Sequence, residues 1–97
     1  MQSHKLLLMV KTEKNVNLES LAALIERQIL GTLLVLVLNS ADYQMMVVLQ
    51  ADTFPMLDKR FNQIQQLAGV FEVSRYFVKP KIAKRRPSWQ NQIAHKR

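Results

Sequence analysis

Apolar residues in this chain fall in short runs separated by polar stretches, and two of the runs lie close together near the middle. Gly31 to Leu49 reads GTLLVLVLNSADYQMMVVL. Leu33–Leu38 and Met45–Leu49 have strand length and consist of Val, Leu and Met. Between them, Asn39-Ser40-Ala41-Asp42 carries side chains that hydrogen-bond to nearby backbone and favour a turn. The pattern predicts a β-hairpin. Neither run alternates apolar with polar, as a strand with one wet face does, so both faces of the hairpin are expected to be covered. A short chain has little material to cover both, which points to a partner surface: a second copy or a different protein. The alternative is a hairpin buried only within its own fold, with some apolar side chains left exposed.

The remaining runs frame this hairpin. Leu6-Leu7-Leu8-Met9-Val10, within His4–Thr12, predicts a first strand. A polar loop, Lys11–Asn17, leads to Asn17, whose side-chain oxygen suits a helix N-cap. Leu18, Leu21, Ala22, Ile25 and Ile29 then recur at helical spacing, predicting an amphipathic helix over Leu18–Ile29 that Gly31 can end. Thr53 is a second N-cap, and Pro55 fits the first turn behind it. Leu57, Phe61, Ile64 and Ala68, with Leu67 beside them, form the expected buried stripe of a second helix, stopped by Gly69. Val70–Val78 alternates in part, with Phe71, Val73 and Phe77 on one side and Glu72, Ser74 and Tyr76 on the other, as an edge strand does.

The predicted order is strand–helix–strand–strand–helix–strand. Right-handed crossovers then give an α+β ferredoxin-like βαββαβ plait: a four-stranded antiparallel sheet with two helices on one face. One sheet face has no helix over it, and the apolar hairpin implies that this face is not fully wet.

Charge separates the tail from the body. Residues 1–78 hold seven basic and seven acidic residues, so the body is neutral. The other seven basic residues lie in Lys79–Arg97, with no acid among them. The division is therefore 1–79 for the domain and 80–97 for a basic tail bracketed by Pro80 and Pro87, expected to be disordered in the free protein. Trp89 and Ile93 are exceptions in it, able to anchor the tail on a partner or back onto the domain. Lys84, Arg85 and Arg86 with Trp89 are its sharpest contact candidates, through counterion release and base stacking, should nucleic acid be a partner. There is no cysteine, no visible signal peptide and no apolar stretch near the roughly 20 residues of a membrane helix, so a cytoplasmic location away from membranes is expected.

Candidate catalytic chemistry is thin. His4 and His95 stand near opposite ends, no spacing suggests a metal site, two glycines cannot build a phosphate loop, and the carboxylates are scattered. The chain reads as non-enzymatic, with no catalytic residue, metal or cofactor expected.

Two resemblances add to this reading. Leu18-Glu19 with Leu21, Leu24 and Ile25, then Arg27-Gln28, resembles the first helix of the small regulatory subunit of acetolactate synthase (acetohydroxyacid synthase) in its single-ACT-domain form. Ser40, Asp42 and Gln44 resemble its hairpin turn, and Leu57-Asp58, Phe61, Gln63, Leu67, Val70 and Val73 its second helix and last strand, so that residues 4–76 are covered. The resemblance implies a homodimer that binds and activates a larger thiamine-diphosphate-dependent subunit in branched-chain amino-acid biosynthesis. Leu33, Val35, Val37, Met46 and Val48 are then expected at the dimer or partner interface, and Asn15, Val16, Asn17 and Leu18 at any amino-acid effector site. The second resemblance is to the cytoplasmic chaperone of periplasmic nitrate reductase. Gln44–Ala51 and Leu67–Ser74 (LAGVFEVS) look like its third strand and its last turn and strand. This one implies a twin-arginine signal peptide as partner.

Overall fold

The structure is a computed structural model that describes residues 3–78. The expected tail over 80–97, with Lys84, Arg85, Arg86 and Trp89, lies outside the described residues. Six elements follow in the expected order: β1 (His4–Thr12), α1 (Leu18–Gln28), β2 (Thr32–Val37), β3 (Met45–Ala51), α2 (Phe54–Gln65) and β4 (Val70–Phe77). The sheet runs β2-β3-β1-β4 with every neighbouring pair antiparallel, which is the ferredoxin-like α+β arrangement.

Both helices start where the sequence places a cap. The Asn17 side chain accepts from the Ser20 N–H at 3.0 Å, and Thr53 Oγ1 accepts from the Met56 N–H at 3.3 Å, each satisfying a donor that the first turn leaves free. Glu19 in the first turn of α1 and Arg27 in its last complement the helix dipole. The helices stop earlier than their apolar spacing suggests. α1 closes on the Ile29 N–H donating to the Ile25 carbonyl, and α2 ends at Gln65. Ala68 is therefore not part of the buried stripe: it lies past the end of α2 and is exposed, while Leu57 and Ile64 are buried and Phe61 and Leu67 pack against the core in part. The two glycines act beyond the helix ends. Gly31 at φ +82° and Gly69 at φ +95° turn the chain into β2 and β4.

The core lies between the helices and one face of the sheet. Leu6, Leu8 and Val10 of β1 and Met45, Val47, Leu49 and Ala51 of β3 alternate inward, meeting Leu21 and Ile25 of α1 and Leu57 and Ile64 of α2. A second tie joins α2 to β4. Arg75 Nη1 donates to Asp58 Oδ1 at 2.8 Å, and its guanidinium lies 4.6 Å from the centre of the Phe61 ring. The pair is exposed, so it contributes little to stability.

The two strands of the hairpin differ in how far the chain covers them. The chain covers one face of β3, but β2 is an edge strand, with Leu33, Leu34, Leu36 and Val37 all exposed. Within β4, Val73 is buried, but Phe71 and Phe77 on the same side remain exposed near the ends of that edge strand.

Candidate functional site

The sheet face away from the helices is assembled from alternate residues of all four strands. Met46 and Val48 sit between the inward residues of β3 and so face outward. Directly opposite them across the ladder are Leu36 and Leu34 of β2 on one side and Met9 and Leu7 of β1 on the other. Leu7 in turn pairs with Tyr76 and Met9 with Ser74 of β4. The result is a strip of apolar side chains across the whole sheet, from Leu36 (41% exposed) and Leu34 (42%) to Tyr76 (54%), with half-buried Met46, Val48, Leu7 and Met9 between. Polar residues frame it: Lys5 and Gln50, which pair at one end, and Lys11 and Glu72, which pair at the other. Apolar strips of this kind, rimmed by polar groups, mark surfaces that meet another molecule.

The structure divides the residues expected at an interface. Met46 and Val48 lie on the open face. Val35 and Val37 pair with Val47 and Met45 and so face the helix side, where Val35 packs against the core. Leu33 falls where the β2–β3 register shifts, has no ladder partner, and is 52% exposed. The open-face residues that sequence reasoning missed are Leu34, Leu36, Leu7, Met9 and Tyr76. In an uninterrupted apolar run nothing marks which alternate set faces inward. For Tyr76, the alternation with Glu72 and Ser74 had already set it on the side opposite Val73.

The four residues expected to hold an effector each have a task in the fold. Asn15 takes a left-handed conformation at φ +69°, Asn17 caps α1, Val16 packs on Gly69, and Leu18 packs against the core. Near them is an open cavity of about 680 Å³ lined by Lys11, Thr12, Glu13, Lys14, Ala41, Gln44 and Phe71, to which none of the four contributes. Gln44 organises its wall. Its Oε1 accepts from the Thr12 N–H at 2.9 Å, and its Nε2 donates to the Ser40 and Ala41 carbonyls at 3.3 Å each.

At the other end of the sheet, His4, Phe54 and Phe77 cluster. The His4 and Phe54 rings stack at 4.1 Å, and Phe77 meets Phe54 edge-on at 5.6 Å. Among the described residues no group of three or more His, Cys, Asp or Glu gathers that could hold a metal ion, and no helix is long and apolar enough to cross a membrane.

Neither any protein-family model nor any curated protein sequence matches this chain. Solved structures do. A transcriptional regulator of Neisseria meningitidis, solved with L-methionine, superposes with a TM-score of 0.68 at 14% identity, over 81% of this chain and 51% of its own. An AsnC-family transcriptional regulator of Agrobacterium tumefaciens gives 0.69 at 11% identity, over 82% and 52%. The chain thus spans about half the length of these two regulators. The Tat proofreading chaperone NapD of E. coli gives 0.57 at 20% identity, over 89% of this chain and 86% of NapD. At these identities the likeness is one of fold, and it places the chain among small ferredoxin-like domains.

Proposed function

We propose that this chain is a non-catalytic binding domain, and that its open sheet face takes the apolar part of a twin-arginine signal peptide, as a cytoplasmic chaperone of a molybdoenzyme such as periplasmic nitrate reductase. The observation that carries the reading is the strip Leu34, Leu36, Met46, Val48, Leu7, Met9 and Tyr76, apolar across four strands and uncovered by the helices or any other described residue. A signal peptide joins a cationic start to 7–15 apolar residues. Held in water, that apolar segment is an aggregation hazard, and four strands spaced about 4.8 Å apart give it a surface to lie on. NapD supports the choice of partner, since the likeness extends over most of both chains, and so does the resemblance carried by Gln44–Ala51 and Leu67–Ser74.

A second reading gives the same face a different occupant. Leu18-Glu19, Ser40 and Leu57-Asp58 resemble the acetolactate synthase regulatory subunit, in which the domain would pair with a second copy and activate a larger thiamine-diphosphate-dependent subunit. Such activation means binding the active form of that subunit preferentially and so shifting its population.

Calorimetric titration of the full chain with a synthetic twin-arginine signal peptide tests the first reading. Binding with a negative heat-capacity change is expected, from burial of apolar surface. Leu36→Asp together with Val48→Asp is expected to abolish it while leaving the circular dichroism spectrum unchanged. Binding that survives both substitutions would place the site elsewhere. A tagged chain drawn from its native host decides between partners: a molybdoenzyme precursor supports the chaperone, whereas a thiamine-diphosphate enzyme activated on adding the chain back supports the regulatory subunit.

A further inference from the structure

The chain's own C-terminal sequence has chemistry that suits the open face. Tyr76 faces outward there, and beyond it the exposed Val78 closes the last ladder bond, its N–H donating to the Lys5 carbonyl at 3.2 Å. Residues 79–97 follow from this edge. Crossing from β4 to β2 is three strand spacings, about 14 Å. Trp89 stands eleven residues beyond Val78, and that length of extended chain reaches about 36 Å, so it can meet any part of the strip. Pro80 and Pro87 have no N–H to give a ladder. That disfavours continued pairing along the edge of β4 and leaves side-chain contact with the face.

The composition fits the site. Arg85-Arg86 precedes Trp89 and Ile93, the order of arginine pair and then apolar residues that a twin-arginine peptide presents. Glu72 is a carboxylate at the rim of the face and makes no ion pair among the described residues. The half-exposed Tyr76 ring can lie under a guanidinium.

We propose that residues 79–97 occupy the open sheet face, with Trp89 and Ile93 against Leu34, Leu36, Met46 and Val48, and so stand in for the peptide until it arrives. What the tail competes with rests on the chaperone reading; that it docks does not. Tethering raises its effective concentration to the millimolar range, so even a weak contact is populated.

Trp89 is the single tryptophan, so its fluorescence reports docking in the full chain. Emission at shorter wavelength than free tryptophan, with several-fold protection from acrylamide, is expected. Leu36→Asp with Val48→Asp is expected to return both to the values of tryptophan in water. A chain carrying Trp89→Asp and Ile93→Asp is expected to bind a tryptophan-free twin-arginine peptide about tenfold more tightly, the factor for a face covered about nine-tenths of the time. Water-like Trp89 emission in the unaltered chain, or emission indifferent to the face substitutions, would overturn the inference. The failures separate. If Trp89 responds to the face but no peptide binds either chain, the tail docks and the chaperone reading falls. If the peptide binds both chains equally and Trp89 is water-like, the chaperone reading stands and the tail inference falls.

Discussion

At the scale of single residues, the fold depends on a few local devices whose loss has definite consequences. Gly31 is the sharpest. Its φ of +82° is one that side chains rarely adopt, and a Cβ there would collide with the Gln50 carbonyl oxygen, with Arg60 Nη1 only 2.8 Å away. Backbone on either side is fixed, since the Gln50 N–H donates to the Gly31 carbonyl at 2.8 Å. Gly31→Ala is therefore expected to destabilise by about 2 kcal/mol or more, read as a lower urea midpoint at unchanged slope. Gly69 is more forgiving on sterics, because its nearest neighbour is the Val16 side chain at 3.1 Å. Asn17→Ala is a cleaner local test. It removes the bond to the Ser20 N–H while leaving the core intact, and about 1 kcal/mol of lost stability is expected in the same measurement. These devices were legible in the sequence because each is local: Asn17 and Thr53 stand directly before their apolar stripes. The helix ends were less so, since an apolar stripe can run on past the last helical hydrogen bond, as Leu67 does.

At the scale of elements, each central strand has two apolar faces with different fates. Leu8 in β1 is fully buried beneath the helices, whereas Met9 beside it faces the open side and is half-buried. Leu8→Ala is expected to cost roughly 2–5 kcal/mol, the range for a large-to-small change in a closed core. Met9→Ala is expected to cost under about 1 kcal/mol, because Met9 is half-buried and lies outside the Leu34, Leu36, Met46 and Val48 patch proposed for the tail, so no sealed cavity is left. Paired thermal melts check this, and equal losses would mean that Met9 is sealed from solvent as fully as Leu8. The contrast shows where sequence reasoning reached its limit. Element order, helix caps and the antiparallel plait all follow from periodicity and turn chemistry. The facing of an unbroken apolar strand does not. In Leu33–Leu38 either alternate set could point inward, and the register shift between Thr32 and Leu34 decides it. That shift sends Val35 and Val37 toward the helices and brings Leu34 and Leu36 out beside Val48 and Met46. Leu34 and Leu36, two of the seven strip residues, were hidden by this one irregularity, which leaves no mark in the sequence.

At the scale of the whole molecule, charge and apolar surface are segregated. Residues 1–78 are neutral, with the apolar strip on one sheet face, and seven basic residues follow with no acid among them. This division makes the sign of a salt dependence diagnostic. A twin-arginine peptide on the open face is held by apolar contact, and its own cationic start is repelled by the tail. Raising salt from 0.1 to 1 M shortens the screening length from about 10 to about 3 Å, which weakens that repulsion and leaves apolar burial intact or strengthened. Peptide affinity is therefore expected to hold or rise a few-fold with salt. Nucleic acid held by Lys84, Arg85 and Arg86 with their neighbours would behave oppositely. Each neutralised phosphate adds about −0.9 to the slope of log affinity against log salt on duplex DNA, and about −0.7 on single strands, so six contacts would lose on the order of a thousandfold from 50 to 200 mM. Titrating the full chain with peptide and with a single-stranded oligonucleotide across that salt series separates the two. Peptide binding that collapses with salt would place the interaction on the tail's charge and remove the open face from the account.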